Sequence, residues 1–188
     1  MPRLNRTRFA ILGMLTSGPK SGYDLKREFE ERISHFWNES LGQIYPALHK
    51  LHKDGLVAVR VKRDQGRPER KEYRITKSGS EALRTWLEHP ADQPSVRNEM
   101  LLKVFFGPAQ TPQQVLRHVD RLETHEQETR VLFKFLEGEI DRQAHSPEER
   151  VYWKLALSSG RYMNRARLAW CREARTAIES LCGEMPCK

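Results

Sequence analysis

The chain has 188 residues, 38% of them hydrophobic, and 33 Lys and Arg stand against 25 Asp and Glu for a formal charge of +8. That length holds a real core and two small domains, while the lack of a run of about 18 apolar residues or a charged-then-apolar leader argues for a soluble, unexported, cytoplasmic protein. Three cysteines do not make a disulfide framework; Cys171 reads as a small hydrophobe on a helix, and Cys182 and Cys187 sit near a terminus where fraying is the default.

Phe9, Leu12 and Leu15 mark a first helix that closes at the Ser17-Gly18-Pro19 turn. Ser21 opens a second, with Asp24 at the capping position and Leu25, Phe29 and Ile33 at four-residue spacing. Ser40 opens a third, Ser40 to Lys53, with Gln43 placed to reach back in a capping box. Counting 100° per residue, Ile44, Ala47, Leu48 and Leu51 fall on one stripe of this helix. Gly42, Gln43, Pro46, His49, Lys50 and Lys53 fall opposite, with Tyr45 at the flank. Gly55 supplies the stop.

Beyond it, Val57, Val59 and Val61 alternate with polar or small residues, the period of a strand with one buried side. A basic turn from Lys62 to Lys71 carries a net +3 in ten residues, and Tyr73 and Ile75 of the return strand point to the core. Thr76 starts another helix with Ala82, Leu83, Trp86 and Leu87 as its stripe. Helix, helix, helix, two-stranded wing, helix is the order of a winged helix-turn-helix. The reading is of a mainly α fold, with this domain over 1–89, a linker over 90–96, and a helical, coiled-coil-like dimerisation domain over 97–188.

In the second part, Arg97 to Phe106 form a short helix with Met100, Leu101, Val104 and Phe105 in one stripe. A longer helix opens at Thr111 and Pro112 and runs towards Asp141. Its Val115, Val119, Leu122, Glu126, Thr129, Phe133, Leu136 and Ile140 alternate by four and three, an a/d repeat broken at a polar residue. A last helix from about Glu148 to Leu181 is expected to bury Leu155, Tyr162, Ala166 and Ala169. The dimer is expected to use Val115, Val119, Leu122, Phe133, Leu136, Ile140, Leu155, Tyr162, Ala166 and Ala169. An intramolecular antiparallel hairpin packed on the winged helix is the alternative use of the same seams.

Gln pairs with adenine in the major groove, Lys donates to guanine or phosphate, and Tyr offers a hydroxyl or a ring. Double-stranded DNA is therefore the expected partner. Gln43, Tyr45, His49 and Lys50 are placed against bases or backbone, with Ser40 and Lys53 at the ends of the same helix. Lys62, Arg63, Arg67, Arg70 and Lys71 are assigned to phosphates, Arg67 also to the minor groove. Tyr23 has two readings, a phosphate donor or a ring packed on the first turn. His49 and His52 lie three apart, but only Asp54 lies close enough to join them, so no metal site is assigned. No GxSxG, phosphate-binding glycine loop or paired catalytic carboxylates stand out, so no cofactor or enzyme activity is assigned.

The segments FAILGMLTSGPKSGYDL, GQIYPALHKLHKDGLV and GRPERKEYRITKSG, spanning Arg8 to Leu87, resemble the PadR family of bacterial transcriptional regulators. By position, Gly22 and Tyr23 match its GY, Tyr45 and Pro46 its YP, Gly55 its turn glycine, and Gly66 with Arg67 its wing tip. NEMLLKVFF resembles the start of the helical dimerisation region in longer members related to virulence activators, where the match is mainly architectural. The resemblance implies a homodimeric regulator, most often a repressor, on a pseudo-palindromic operator. A small-molecule effector, where one acts, would be sought at the linker and around Met100 to Phe106.

Charge agrees without the resemblance. Residues 1–89 hold 18 Lys and Arg against 11 Asp and Glu, whereas residues 90–188 hold 15 against 14. Concentrating the excess in one half favours a polyanion contacted by that half. A winged helix used as a protein adaptor is the competing reading, and it would not need the cationic wing.

Overall fold

The computed structural model describes residues 3–62, 70–92 and 97–184, with side chains described over 6–62, 70–92 and 97–181. The chain divides into two compact units, 1–94 and 95–188. Helices α1 (Arg3–Met14), α2 (Gly22–Glu28) and α3 (Leu41–Lys53) precede an antiparallel pair, β1 (Val57–Lys62) and β2 (Arg70–Ile75), and helix α4 (Lys77–Glu88). The second unit holds α5 (Glu99–Phe105), α6 (Pro112–Gln143) and α7 (Pro147–Glu184). Among the described residues, no helix is long and apolar enough to cross a membrane.

The first unit closes around Ile11, Leu12 and Leu15 with Leu25 and Phe29, the α3 stripe Ile44, Ala47, Leu48 and Leu51, and Val57 and Tyr73 from the strands. Each Leu, Ile, Val or Phe among them contributes roughly 1.5–3 kcal/mol on full burial. Ser21 and Asp24 form the capping box that starts α2, and the last turn of that helix widens into a single π turn over Phe29–Ile33. Gly55 takes φ 71°, the left-handed conformation that ends α3 and turns the chain into β1.

The strand register runs from Val57 opposite Ile75 to Lys62 opposite Arg70. A one-residue bridge adds a third partner: the Lys20 N–H donates to the Tyr73 carbonyl at 3.0 Å, and the Tyr73 N–H donates back at 2.8 Å. Two apolar expectations in this unit are corrected. Val61 is exposed, because the hairpin projects beyond the core that covers Val57 and Val59. Leu87 is exposed at the last turn of α4, while Trp86 stacks on Phe9 with ring centroids 4.8 Å apart.

In the second unit α6 and α7 form an antiparallel hairpin. Phe133, Leu136 and Ile140 of α6 pack with Leu157 of α7, and Trp153 lies against them. Val115 and Val119 are also buried and Leu122 is half-buried. The a/d seam of α6 is thus filled largely inside the chain. The expected burial of Leu155, Tyr162, Ala166 and Ala169 is corrected, since all four are exposed and Leu157, Asn164, Leu168 and Cys171 are buried instead. The cause is helical phase. Residues 157, 164, 168 and 171 recur by seven, four and three on the side facing α6, and the expected residues lie on the far side.

The polar break in the seam is a lock. Glu126 is buried, and its Oε2 accepts from the Asn164 amide at 2.7 Å while Oε1 accepts from Arg167 at 3.0 Å. The same Asn164 amide also donates to the Glu126 carbonyl at 2.7 Å. In α5, Met100 and Val104 of the stripe are half-buried, whereas Leu101 and Phe105 are exposed, as are Leu102 and Phe106 beside them.

Gly79 exposes a constraint that the sequence pattern does not announce. A Cβ built there would lie 2.1 Å from the Leu56 carbonyl oxygen, a backbone atom held by the Thr76 N–H at 3.1 Å. Gly79→Ala is expected to lower unfolding free energy by about 1–3 kcal/mol, the usual range for overpacking, whereas exposed Ser78→Ala should stay within about 0.5 kcal/mol. Urea denaturation of both variants measures the difference.

Candidate nucleic-acid interface

Helix α3 is aimed by its own burial. Ile44, Ala47, Leu48 and Leu51 are 0–2% exposed, so the opposite face is forced out. That face carries Gly42, Tyr45, Pro46, His49, Lys50 and Lys53, all exposed, and α3 contains no Asp or Glu. Among the described residues, no ion pair or hydrogen bond engages the charged ends of Lys50 and Lys53.

Gln43 makes the capping contact expected of it. Its Oε1 accepts from both the backbone N–H and the hydroxyl of Ser40, each at 3.0 Å. Ser40 is likewise committed to the cap. A bidentate adenine contact needs both the amide oxygen and the amide nitrogen, and here the oxygen already serves the helix start. Gln43 retains its NH2 as an outward donor, and base reading through its full amide would require breaking the capping box.

Tyr45 is about half exposed and lies over the start of α2. A Cβ on Gly22 would fall 2.6 Å from its Cε1. The GY and YP motifs thus meet in space, and a Cβ at position 22 would make the ring shift. Burial pushes the Tyr73 hydroxyl above its ordinary range, and the neighbouring Tyr45 adds to the shift. Tyr23 is 66% exposed, which favours the outward of its two readings.

The wing cations divide into paired and open ones. Arg70 donates to Asp24 and so ties β2 to the start of α2. Lys62 pairs with Glu72 across the hairpin at 2.9 Å. Lys71 is exposed and holds no acid among the described residues. Arg63 and Arg67, both assigned to phosphates, lie outside the described residues. Desolvation alone would raise the Asp24 carboxyl. The bonds from the Ser21 backbone and hydroxyl and from Arg70 outweigh it and hold the group below its ordinary range.

His52 is exposed, with its Nδ1 3.2 Å from the Val57 carbonyl oxygen. Two contacts that sequence reasoning missed fix the ends of α3. Arg8 of α1 holds Asp54 at 2.8 Å. At the other end the Thr7 hydroxyl donates to buried Glu39 at 2.7 Å, immediately before the helix cap. Neither follows a local spacing, since the partners lie 46 and 32 residues apart.

Residues 11–85 match the transcriptional regulator PadR-like family, and residues 96–179 match the family described as virulence activator alpha C-term. The negative transcriptional regulator PadR of Bacillus subtilis is 38% identical over 100 residues, covering 53% of this chain and 55% of that protein. The chain spans about half the length of the curated relatives it matches. The structure of Bacillus subtilis PadR in complex with operator DNA is similar at a TM-score of 0.77 and 28% identity, covering 91% of this chain and 98% of that one. A structure of the same protein in complex with p-coumaric acid is similar at 0.74 and 25% identity, covering 95% and 98%.

The Gly22 and Tyr45 contact can be tested without any ligand. Gly22→Ala is expected to destabilise by about 1–2 kcal/mol through overpacking against the ring, and most of that loss should disappear in a Tyr45→Ala background. A double-mutant cycle from thermal denaturation measures the coupling; additive losses would mean the two residues do not meet.

Proposed function

We propose, from the match of residues 11–85 to the PadR-like family of transcriptional regulators, that the chain is a homodimeric repressor that seats α3 in the major groove of a pseudo-palindromic operator. One observation carries the reading: the α3 face opposite its buried stripe is exposed, cationic and free of acids. Tyr45, His49 and Lys50 are the proposed base and backbone contacts, with Lys53 at the end of the helix. Gln43 contributes its NH2, and Ser40 serves through the cap. Lys62, Arg63, Arg67, Arg70 and Lys71 are the proposed phosphate contacts of the wing, and Tyr23 adds a hydroxyl from the start of α2.

Self-association is assigned to the outer face of α7. Leu155, Tyr162, Ala166 and Ala169 recur by seven, four and three and are exposed, with Leu155 at 60% and Tyr162 at 67%. This arrangement leaves the α6 seam to the hairpin core. A two-fold dimer presents two copies of α3, so half-sites about one duplex turn or a multiple of it apart are the geometric consequence. The p-coumaric acid complex of the Bacillus subtilis protein motivates control by a small effector. Such a ligand acts only through different affinities for the two placements of the wings.

Footprinting of the tagged protein across its genome would recover bound sites for fluorescence anisotropy. Lys50→Ala should lose about 1–3 kcal/mol of preference for the recovered site over scrambled DNA, while Lys71→Ala should weaken all sequences alike and flatten the salt dependence. Operator affinity unchanged in both variants, or no salt-dependent binding at all, would return the protein to the adaptor reading.

The interface has its own test. Leu155→Asp combined with Tyr162→Asp should leave the helical content intact and yield a monomer by light scattering, because both side chains are already in solvent in the single chain. Val119→Asp, which places a charge in the α6 seam, should instead unfold the second unit.

A further inference from the structure

The cleft between α6 and α7 holds a cluster of like charge that the proposed DNA contact does not use. It has a volume of about 430 Å³ and is edged by Arg130, Lys134, Arg161, Arg165 and Arg172. No acid lines it. Phe133 and Leu168, 4% and 7% exposed, form its apolar floor. We propose that this cleft binds a small planar organic anion carrying two or more carboxylate or phosphate groups.

Most acids of α6 are held by cations outside the cleft. Glu126 is held by Asn164 and Arg167, Asp120 and Glu123 by Arg175, Asp141 by Lys154, and Glu139 by Arg142. Of the five cleft cations, Arg161 has a partner in Glu137. Arg165 lies over the Tyr162 ring, 4.5 Å from its centroid. Arg130, Lys134 and Arg172 hold no acid among the described residues. Arg130 and Lys134, and Arg161 and Arg165, are also like-charge pairs at i,i+4, a spacing that weakens a helix unless an anion sits between the charges.

The residue types set the class of ligand. Four of the five cations are arginines, whose planar forks bind carboxylate and phosphate bidentately. The apolar floor suits a flat frame between the charged groups, and the volume lies in the range of about 300–1,000 Å³ usual for small-molecule sites. From Arg161 to Arg172 the α7 cations span only about 17 Å of helix at 1.5 Å per residue. That is compact for a surface tracking a duplex, and the floor gives a duplex backbone nothing to meet.

The test is titration calorimetry on the full chain with benzene-1,3,5-tricarboxylate, with benzoate and inorganic tripolyphosphate as comparison probes. The tricarboxylate should saturate at one site per chain and bind far better than benzoate. Arg130→Gln and Arg172→Gln should each weaken it on the order of tenfold, the loss of one bidentate contact. Lys134→Gln serves if either variant fails to fold, and Arg117→Gln, outside the cleft, should change nothing. Equal affinity in the Arg130 and Arg117 variants overturns the site. So does the absence of saturable binding by the tricarboxylate and tripolyphosphate, and binding of tripolyphosphate alone overturns the planar frame. Loss of the dimer in the Arg130 or Arg172 variant would make the cleft an interface between copies, which also overturns the proposal.

Discussion

The roll of α3 about its own axis is the constraint on which the reading surface depends. Ile44, Ala47, Leu48 and Leu51 are withdrawn from water against α1, α2 and β1, and turning the helix would expose all four. At roughly 1.5–3 kcal/mol for each large side chain, that is comparable with the whole stability of a small domain. The cationic face is therefore fixed in direction before any DNA arrives. Ser40 with Gln43 sets where the helix begins, Gly55 where it stops, and the Thr7–Glu39 and Arg8–Asp54 contacts tie both ends to α1.

The sequence made most of this unit legible because its signals are local. Caps at Ser21, Ser40 and Thr76 and the stripe of α3 all lie within a few residues of the structure they specify. What stayed hidden depends on residues far apart in the chain. Asp24 reads as a capping residue and is one, but its second partner, Arg70, is 46 residues away. Gly22 reads as a motif letter until Tyr45 is seen above it, and Gly79 gives no pattern at all until Leu56 is placed against it. The wing tip, where Arg63 and Arg67 carry much of the expected phosphate contact, lies outside the described residues.

The second unit shows a different limit. A repeat by four and three says that a helix has one apolar face, but not whether that face meets the same chain or another. In α6 it meets α7, and the polar interruption at Glu126 becomes the point where the two helices are registered. A carboxylate buried there is stable only in the one alignment that brings Asn164 and Arg167 to it. Sliding α7 by one turn would leave that charge without its donors. The lock therefore selects which α7 residues face in, and by exclusion it turns Leu155, Tyr162, Ala166 and Ala169 outwards.

That selection couples the two proposed interfaces to different kinds of energy. On the outer face of α7, apolar side chains stand in solvent, and their burial strengthens with area and is little affected by salt. On the wing, Arg70 and Lys62 already have acids, but both pairs are at least partly exposed, and such pairs are worth only about 0–1 kcal/mol. Exchanging Asp24 or Glu72 for a phosphate therefore costs little, while the counterions released from the duplex make the exchange favourable at low salt. For the proposed dimer, rising salt should loosen the wing from DNA well before it separates two chains joined through α7.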